Sequence, residues 1–351
     1  MPLTLNVDGD RWRTHLQRVA DAHPGIVPVA KGNGYGFGLA RLARKAAWLG
    51  VDTIAVGTYE DAREVLPRFD GDVLVMSPWR AELCELVPQG SYDGRLIHTL
   101  GRVSDVTALA AHAAATGIRP RMVIEGLTSM ARHGLTRHEL SAAAGALGPL
   151  KLVGFALHLP MTGGRLPEVE EWAAVLQASQ LPTSTMYVSH VSDTELTTLA
   201  GKRPGLTIRP RIGTALWLGD REALSVRASV LDRHQVSRGE RIGYRQRPMP
   251  TAGTLLVVAG GTAHGIGLEA PAACTTMRQR AVSLARGGLH AAGLALSPFR
   301  VGGRQRWFAE PPHMQASMLF MTDAGKAPDV GDEVGVDVRF TTTTFDRVVI
   351  S

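Results

Sequence analysis

The N-terminal part of the chain repeats one unit, a short apolar run followed by a segment with the apolar spacing of a helix. Eight runs are short enough to be buried strands: residues 27–31, Thr53–Gly57, Val73–Met76, Arg95–His98, Arg121–Glu125, Leu152–His158, Thr185–Ser189 and Leu206–Arg211. Eight alternations over roughly 215 residues favour a closed parallel (β/α)8 barrel of the TIM type over an open doubly wound sheet.

The segments between these runs predict helices. They are Tyr59–Leu66, Ala81–Val87, Ser104–Thr116, Thr136–Leu147, Leu166–Ala178 and Asp193–Ala200, and about fifteen residues after Asp8 also have a helical pattern. Thr136 and Glu139 have the spacing of a capping box, in which each side chain bonds the other residue's backbone N–H. Ser104 and Asp193 are predicted as N-caps, because short polar side chains accept such bonds.

The pattern changes near Gly219 and Asp220, where alternating and β-branched runs replace the repeat. These runs are Val226–Val230, Thr254–Val258, Trp307–Ala309, Met318–Thr322 and Glu333–Thr344. Glycine pairs at 260–261, 287–288 and 302–303 predict turns, and the last pair favours a hairpin. We therefore predict a barrel domain over residues 1–223 and a smaller β-rich domain over residues 224–351.

Active sites of such barrels lie at the C-terminal ends of the strands. Five chemically versatile side chains fall there in this sequence, namely Lys31, Glu125, His158, His190 and Arg211. Any one of them is equally well explained as a solvated strand end. The coincidence of five favours a functional site, and a lysine in such a place can act as a nucleophilic amine if its pKa is lowered.

Composition limits the possible partners. Of 351 residues, 44% are hydrophobic and 20% are charged, which is typical of a globular protein, and no apolar run is long enough for a membrane span. The net charge of +6 comes from scattered arginines, so we expect no nucleic-acid partner; it suits an anionic ligand such as a phosphorylated cofactor. Cys84 and Cys274 have no metal-binding pattern, and the N-terminus has no signal-peptide pattern. We expect no metal and a cytoplasmic location.

One motif adds a family resemblance. The string Lys31-Gly-Asn-Gly-Tyr35-Gly-Phe-Gly38 ends the first apolar run, and only five of the 38 basic residues are lysines. This string resembles the cofactor-lysine motif of the alanine racemase family. The resemblance implies that Lys31 binds pyridoxal 5′-phosphate (PLP) covalently and that Tyr35 contacts its phosphate.

Two further motifs resemble that family at the last two barrel strands. In Arg211-Ile-Gly-Thr-Ala-Leu-Trp217, the resemblance implies that Arg211 bonds the pyridine nitrogen of PLP, while Gly213 and Thr214 help to hold the phosphate. In His190-Val-Ser-Asp-Thr194, it implies a cofactor-binding role for His190 and a phosphate-binding hydroxyl on Thr194. Asp193 replaces an asparagine of the family pattern.

The resemblance also suggests residues that act on the substrate, an amino acid. His158 matches a histidine beside the catalytic tyrosine, and Arg132, in Met130-Ala-Arg-His-Gly134, matches an arginine that contacts the substrate carboxylate. Met314 matches a substrate-contacting methionine, followed here by Gln315 where the family usually has aspartate. Glu125 replaces a modified lysine, and we hypothesise that it pairs with Arg132.

Tyr244, in Arg241-Ile-Gly-Tyr244, resembles the family's second catalytic base, contributed across a homodimer interface. Lys31 and Tyr244 would exchange the Cα proton on opposite faces, which is racemisation. The sequence thus predicts an isomerase that forms D-amino acids, from alanine or another small amino acid. Thr262 and His264 replace family residues that line the substrate access. These changes leave open decarboxylation, elimination, or a PLP-binding protein without turnover.

Overall fold

The computed structural model describes residues 2–86, 94–163, 165–268, 276–278, 281, 284, 287, 295–323 and 327–351. The chain divides into two compact units, Thr14–Gly219 and a second unit that combines Met1–Arg13 with Asp220–Ser351. The chain begins with strand β1 (Leu3–Val7) and helix α1 (Gly9–Ala22), which confirms the helix predicted after Asp8.

The unit Thr14–Gly219 contains a closed parallel barrel, as predicted, with eight strands among its described residues. The strands are β2 (Val27–Ala30), β3 (Thr53–Val56), β4 (Asp72–Pro78), β5 (Leu96–Leu100), β6 (Arg121–Gly126), β7 (Lys151–His158), β8 (Thr185–Ser189) and β9 (Thr207–Ile212). Pairing of Val27 in β2 with Arg211 in β9 closes the barrel. Both ends of each strand lie within two residues of the predicted ends.

The helices that follow the strands are α2 (Leu39–Trp48), α3 (Tyr59–Val65), α4 (Val103–Thr116), α5 (Leu140–Gly145), α6 (Arg165–Ala178), α7 (Asp193–Lys202) and α8 (Thr214–Leu218). A 3-10 helix spans Ala81–Leu86, and Val87, the last residue of the helix predicted there, lies outside the described residues. The capping box of Thr136 and Glu139 is confirmed. Two predicted N-caps are wrong, because α4 is preceded by Arg102 and α7 by Ser192.

Inward-facing side chains of the barrel strands form one apolar core. It consists of Val27, Val29, Ala55, Leu74, Ile97, Val123, Ala156 and Tyr187, all of them buried. Successive side chains of a strand point to opposite faces, so strands β2 to β8 contribute to this core only from their inward-facing positions. The filled interior confines any ligand to the ends of the barrel.

The second unit is built on one mainly antiparallel sheet. Its strands are β10 (Leu224–Val236), β11 (Arg241–Ile242), β12 (Arg247–Pro248), β13 (Gly253–Ala259), β14 (Leu296–Val301), β15 (Arg304–Phe308), β16 (Ala316–Met321), β17 (Glu333–Val336) and β18 (Arg347–Ile350). The sheet order is β13-β16-β15-β14-β17-β10-β1-β18, with β10 also paired to β13, and β11 and β12 form a separate hairpin.

The β-rich nature of this unit agrees with the sequence, and so does the hairpin at Gly302 and Gly303. Both glycines have positive φ, and Val301 pairs with Arg304 across the turn. The run predicted over Glu333–Thr344 is a strand only as far as Val336. The turn predicted at 287–288 falls partly outside the described residues.

The first thirteen residues were predicted to be part of the barrel domain, but they belong to the β-rich unit. Strand β1 pairs antiparallel with β10 and parallel with β18, so it belongs to the β-rich unit and not to the barrel unit. The side chain of Asp346 accepts a hydrogen bond of 2.8 Å from the backbone N–H of Leu3, which fastens β1 at that edge. The other division, between Gly219 and Asp220, lies close to the predicted one.

Candidate active site

Lys31 follows β2 directly, at the C-terminal mouth of the barrel. Its side chain is exposed on one side. Partial burial on the other side, together with the positive charges of Arg132 and Arg211, lowers the pKa of Lys31. A lysine in this environment carries a larger fraction of the neutral amine, the form that attacks a carbonyl group.

The glycine-rich loop after Lys31 places Tyr35 against the end of β9. Gly32, Gly34, Gly36 and Gly38 all have positive φ, and Tyr35 itself has a φ of 55°. Its hydroxyl lies so close to Gly213 that a Cβ at that position would be 2.1 Å from it.

The side chain of Thr214 lies beside the hydroxyl of Tyr35. Burial raises the pKa of Tyr35 to about 12, so the phenol stays protonated and can donate a hydrogen bond to an anion. Trp217 holds this region to the lysine strand, because its buried indole N–H donates a 2.7 Å bond to the carbonyl of Val29. Tyr35, Gly213 and Thr214 therefore lie together at the end of β9.

Asp61 is a functional candidate that the sequence analysis missed. Its Oδ2 accepts hydrogen bonds from the backbone N–H of Gly57 at 3.1 Å and of Gly32 at 3.4 Å. It thereby ties the residue that follows Lys31 to the end of β3. The signal in the sequence was the spacing of Thr58 and Asp61, since the Thr58 side chain caps α3 by accepting from the N–H of Asp61.

Arg211 lies at the end of β9 and is only 5% exposed. One terminal nitrogen donates a 2.9 Å bond to the carbonyl of Leu157. Its Nε is buried and has no hydrogen-bond partner within the described part of the chain. A buried N–H without an acceptor is energetically costly, so this donor is suited to an acceptor atom of a ligand.

Glu125 introduces a buried carboxylate beside these cations. It is 3% exposed at the end of β6. Burial raises its pKa, whereas Arg211, Arg132 and Arg80 act in the opposite direction. The hypothesised direct pair does not form: among the described ion pairs shorter than 4 Å, none joins Glu125 to Arg132. Glu125 acts instead as a nearby negative charge shared by three arginines.

His158 and His190 lie edge to face at the ends of β7 and β8, with ring centroids 5.3 Å apart. Burial and the charge of Arg211 lower the pKa of His158 to about 3, so this ring is neutral at pH 7. A 3.1 Å hydrogen bond joins its Nδ1 to Ser189.

The loop between β8 and α7 carries the hydroxyl of Ser192 beside the predicted hydroxyl of Thr194. Ser192 is the N-cap of α7, and its Oγ lies 3.2 Å from the hydroxyl of Thr194 in the first helical turn. Asp193, predicted as the cap, is 80% exposed and pairs with His23 at 2.9 Å. His190, which precedes this loop, has a φ of 59°. Ser192 took the capping role because its hydroxyl reaches the N–H of Glu195.

Tyr244 and Met314 belong to the β-rich unit and face a common depression. Tyr244 lies in the loop of the β11–β12 hairpin and is 86% exposed, and Met314 is 72% exposed. The depression is also lined by Arg245, Thr262 and His313. The structure thus places these two predicted residues in one depression, whereas the charges of Lys31, Arg132 and Arg211 lie close to His158 at the barrel mouth.

Among the described residues, no group of three or more His, Cys, Asp or Glu side chains is placed to hold a metal ion. No helix in the described ranges is long and apolar enough to cross a membrane. Cys274 and the side chain of Cys84 lie outside what the structure describes.

Comparison with known families gives a match over residues 7–220, to the family described as alanine racemase, N-terminal domain. This chain belongs to the alanine racemase family. Solved structures of racemases share its fold. The alanine racemase of Clostridium difficile 630 aligns with a TM-score of 0.71 at 17% identity, covering 96% of this chain and 87% of that one.

Two more racemases align over nearly the full length of this family member. The alanine racemase of Bartonella henselae, with covalently bound PLP, has a TM-score of 0.71 at 19% identity and 100% coverage of both chains. The histidine racemase of Leuconostoc mesenteroides subsp. sake has a TM-score of 0.69 at 16% identity and covers 99% and 98%. These identities show a common fold. A comparison with curated proteins found no match.

His264, one of the positions predicted to differ from the family pattern, is held in place by two hydrogen-bonding contacts in this alanine racemase family member. His264 is 9% exposed. Its Nδ1 accepts from the N–H of Gly261 at 3.2 Å, and its Nε2 lies 3.1 Å from Asp346. Thr262, two residues earlier, lines the depression around Tyr244. His264 therefore stabilises the loop by its contacts, whereas Thr262 contributes to the surface around Tyr244.

Proposed function

We propose that this chain is a PLP-dependent amino-acid racemase. The observation that carries the proposal is the set of groups at the barrel mouth. A lysine of lowered pKa, a buried arginine N–H with no acceptor among the described residues and a buried tyrosine hydroxyl against a glycine all lie there. Each complements one part of PLP: the aldehyde, the pyridine nitrogen and the phosphate. Membership of the alanine racemase family supports the same assignment.

The residues present fit the cofactor. Lys31 would hold its carbonyl carbon covalently, and Arg211 would offer Nε to the ring nitrogen. Arginine has donors only and stays charged, so it keeps that nitrogen unprotonated. The hydroxyls of Tyr35, Thr214 and Thr194 and the backbone at Gly213 would hold the phosphate, with His190 alongside. When bound, PLP makes the Cα–H bond of an attached amino acid acidic.

Two side chains would then move the proton. Lys31 removes or returns the Cα proton on one face, and Tyr244 from a second copy of the chain acts on the other face. Removal on one face and return on the other inverts the configuration and produces a D-amino acid from an L-amino acid. A homodimer with shared active sites follows from this division of labour.

Substrate binding is assigned to Arg132 and Met314. The exposed guanidinium of Arg132 suits the α-carboxylate of an amino acid, and neutral His158 adds no competing charge beside it. Alanine or another small amino acid is the proposed substrate, since alanine is the substrate named for most of the aligned racemases reported above.

The test incubates the PLP-loaded protein with single enantiomers of alanine and of other amino acids in heavy water. Chirality and Cα deuterium content are both measured. A racemase yields the opposite enantiomer together with deuterium incorporation. Loss of the carboxylate or of a β-substituent would identify a different reaction. PLP bound with no exchange for any amino acid would make the chain a binding protein without turnover and refute the proposal.

A further inference from the structure

The loop that carries Tyr244 is a short turn at the tip of a hairpin. Arg241 pairs with Pro248 and Ile242 with Arg247, which leaves residues 243–246 as the turn. Tyr244 is 86% exposed there. A long side chain at such a tip can adopt several rotamers unless other groups restrict it. Proton transfer requires a defined position of the phenol oxygen.

A buried carboxylate lies directly beneath this turn. Glu310 is 5% exposed, which is unusual for a glutamate unless both of its oxygens have partners. Its Oε2 accepts a 3.0 Å hydrogen bond from the backbone N–H of Tyr244. Its Oε1 accepts a 2.6 Å bond from Nε2 of His313. The carboxylate therefore joins the backbone of the turn to a histidine side chain.

Gly243 allows this close approach. Its φ is +68°, and a Cβ at this position would lie 2.0 to 2.5 Å from three atoms of the Glu310 carboxyl group. No other residue type fits there without moving the carboxylate. The turn and Glu310 are thus packed as one unit.

His313 completes the arrangement by contacting the tyrosine ring. The ring centroids of His313 and Tyr244 are 4.7 Å apart, with an angle of 50° between the ring planes. The backbone of His313 is fixed as well, because its N–H donates to Ala316 at 2.9 Å and its carbonyl accepts from Thr262 at 2.8 Å. Glu310 consequently holds Tyr244 twice, through the tyrosine backbone and through the ring that packs on its side chain.

We propose that Glu310 and His313 form a positioning pair that fixes the phenol of Tyr244 for proton transfer, an inference that rests on the proposed racemase function. Neither residue was singled out by the sequence. The pair holds the base in place, and neither member exchanges the substrate proton itself.

Variants of Glu310 and His313 separate this role from a general structural one. Glu310→Gln has nearly the same shape but one acceptor oxygen where the carboxylate has two, so it cannot accept from both Tyr244 and His313. His313→Phe keeps a ring beside Tyr244 and removes the bond to Glu310. Glu240→Gln is the matched control, because Glu240 accepts the N–H of Ser237 in the same unit and is exposed.

Two readouts are measured on PLP-loaded proteins with unchanged melting temperature and PLP content. The first is the rate of Cα deuterium exchange for each enantiomer. Wild type should exchange both enantiomers, and Tyr244→Phe should lose exchange of one. Glu310→Gln and His313→Phe should slow exchange of that same enantiomer at least tenfold and leave the other within twofold. Glu240→Gln should leave both within twofold.

The second readout is independent of activity. Backbone amide hydrogen exchange at Tyr244 should be about fivefold faster in Glu310→Gln, because a neutral amide oxygen binds the N–H more weakly than a carboxylate does. Folded variants that keep both exchange rates within twofold, or that slow both enantiomers equally, would overturn the positioning pair and leave the racemase proposal standing. A wild-type protein that exchanges neither enantiomer would overturn both.

Discussion

The barrel mouth and the Tyr244 hairpin prepare their reactive groups in different ways. At the mouth, Lys31 is adjusted by burial and by two arginines, and its neighbours Tyr35 and Arg211 are buried. At the hairpin, Tyr244 is almost fully exposed and is held by one buried glutamate. Under the proposed function, the barrel would bind the cofactor by itself, whereas the hairpin would supply a base only to a site that a second copy of the chain completes. Changes in the two regions should therefore have separable effects.

The largest effect should come from Lys31→Ala, which removes the cofactor amine and one base together. We expect Cα exchange of both enantiomers to fall by at least about 10³-fold, the upper part of the range for positioned acid–base groups. Deuterium incorporation measures the loss. Lys202→Ala is the control, because Lys202 pairs with Glu170 on the surface. Comparable losses in both variants would contradict the special place of Lys31.

Tyr244→Phe should have a smaller and one-sided effect. Without the phenol, exchange of one enantiomer should fall about 10²-fold or more, while Lys31 continues to exchange the other. PLP binding should be unchanged, since the barrel mouth is intact. The measurement is Cα deuterium exchange for each enantiomer together with PLP titration. Loss of PLP binding in this variant would break the separation of the two regions.

Gly213→Ala tests the close packing of Tyr35 against Gly213 at the barrel mouth. The added Cβ would lie 2.1 Å from the hydroxyl of buried Tyr35, so the ring or the loop must shift. Overpacking of this kind costs about 1–3 kcal/mol, and we expect PLP affinity to weaken roughly tenfold or more. Equilibrium dialysis against PLP measures the change. Gly205→Ala is the control, because its nearest neighbour would be 3.5 Å away, and equal weakening there would argue against the contact.

Glu125→Gln tests the shared negative charge. Removing it leaves Arg80, Arg132 and Arg211 without this carboxylate, and their mutual repulsion should displace exposed Arg132 first. We expect KM for the amino acid to rise about tenfold, which corresponds to the free energy of about one hydrogen bond to a charged group. PLP binding should be retained. Steady-state kinetics measures it, with exposed Glu171→Gln as the control. An unchanged KM would show that Glu125 has no role in holding Arg132.

The smallest effect concerns pH and stability. The pKa of His158 is about 3 in the folded chain and about 6.5 when unfolded, so the unfolded state binds the extra proton first as the pH falls. Stability is thus fully present above pH 6.5 and is lost toward pH 3. Because His158 is only partly buried, we expect His158→Gln to reduce the loss between pH 7 and pH 5 by about 1 kcal/mol. Urea unfolding at both pH values measures it, with exposed His138→Gln as the control.

The barrel was predictable because its strands are continuous apolar runs separated by helical periodicity, so even their ends were close to the observed ones. Strand β1 was not, because five residues at the start of a chain carry no sign of pairing with β10, more than 200 residues away. The N-cap of α7 was misplaced by one residue because Ser192 and Asp193 are both good caps, and only the geometry selects between them.

The site residues that came from motifs were easier to find than those that support them. Lys31, Tyr35 and Arg211 lie in short strings with recognisable spacing. Glu310 does not, and the spacing of Asp61 from Thr58 indicates only a helix cap, because each carboxylate accepts a backbone N–H from a segment that only folding brings near. A carboxylate that binds main-chain groups leaves no partner residue type to look for in the sequence.

The most direct test of the central claim is borohydride reduction of the PLP-loaded protein followed by peptide mass spectrometry. Reduction fixes a carbonyl cofactor onto the amine that holds it. We predict a single pyridoxyl label on Lys31, together with loss of the visible absorption band. A label on another lysine, or a protein that takes up no PLP, would contradict the account.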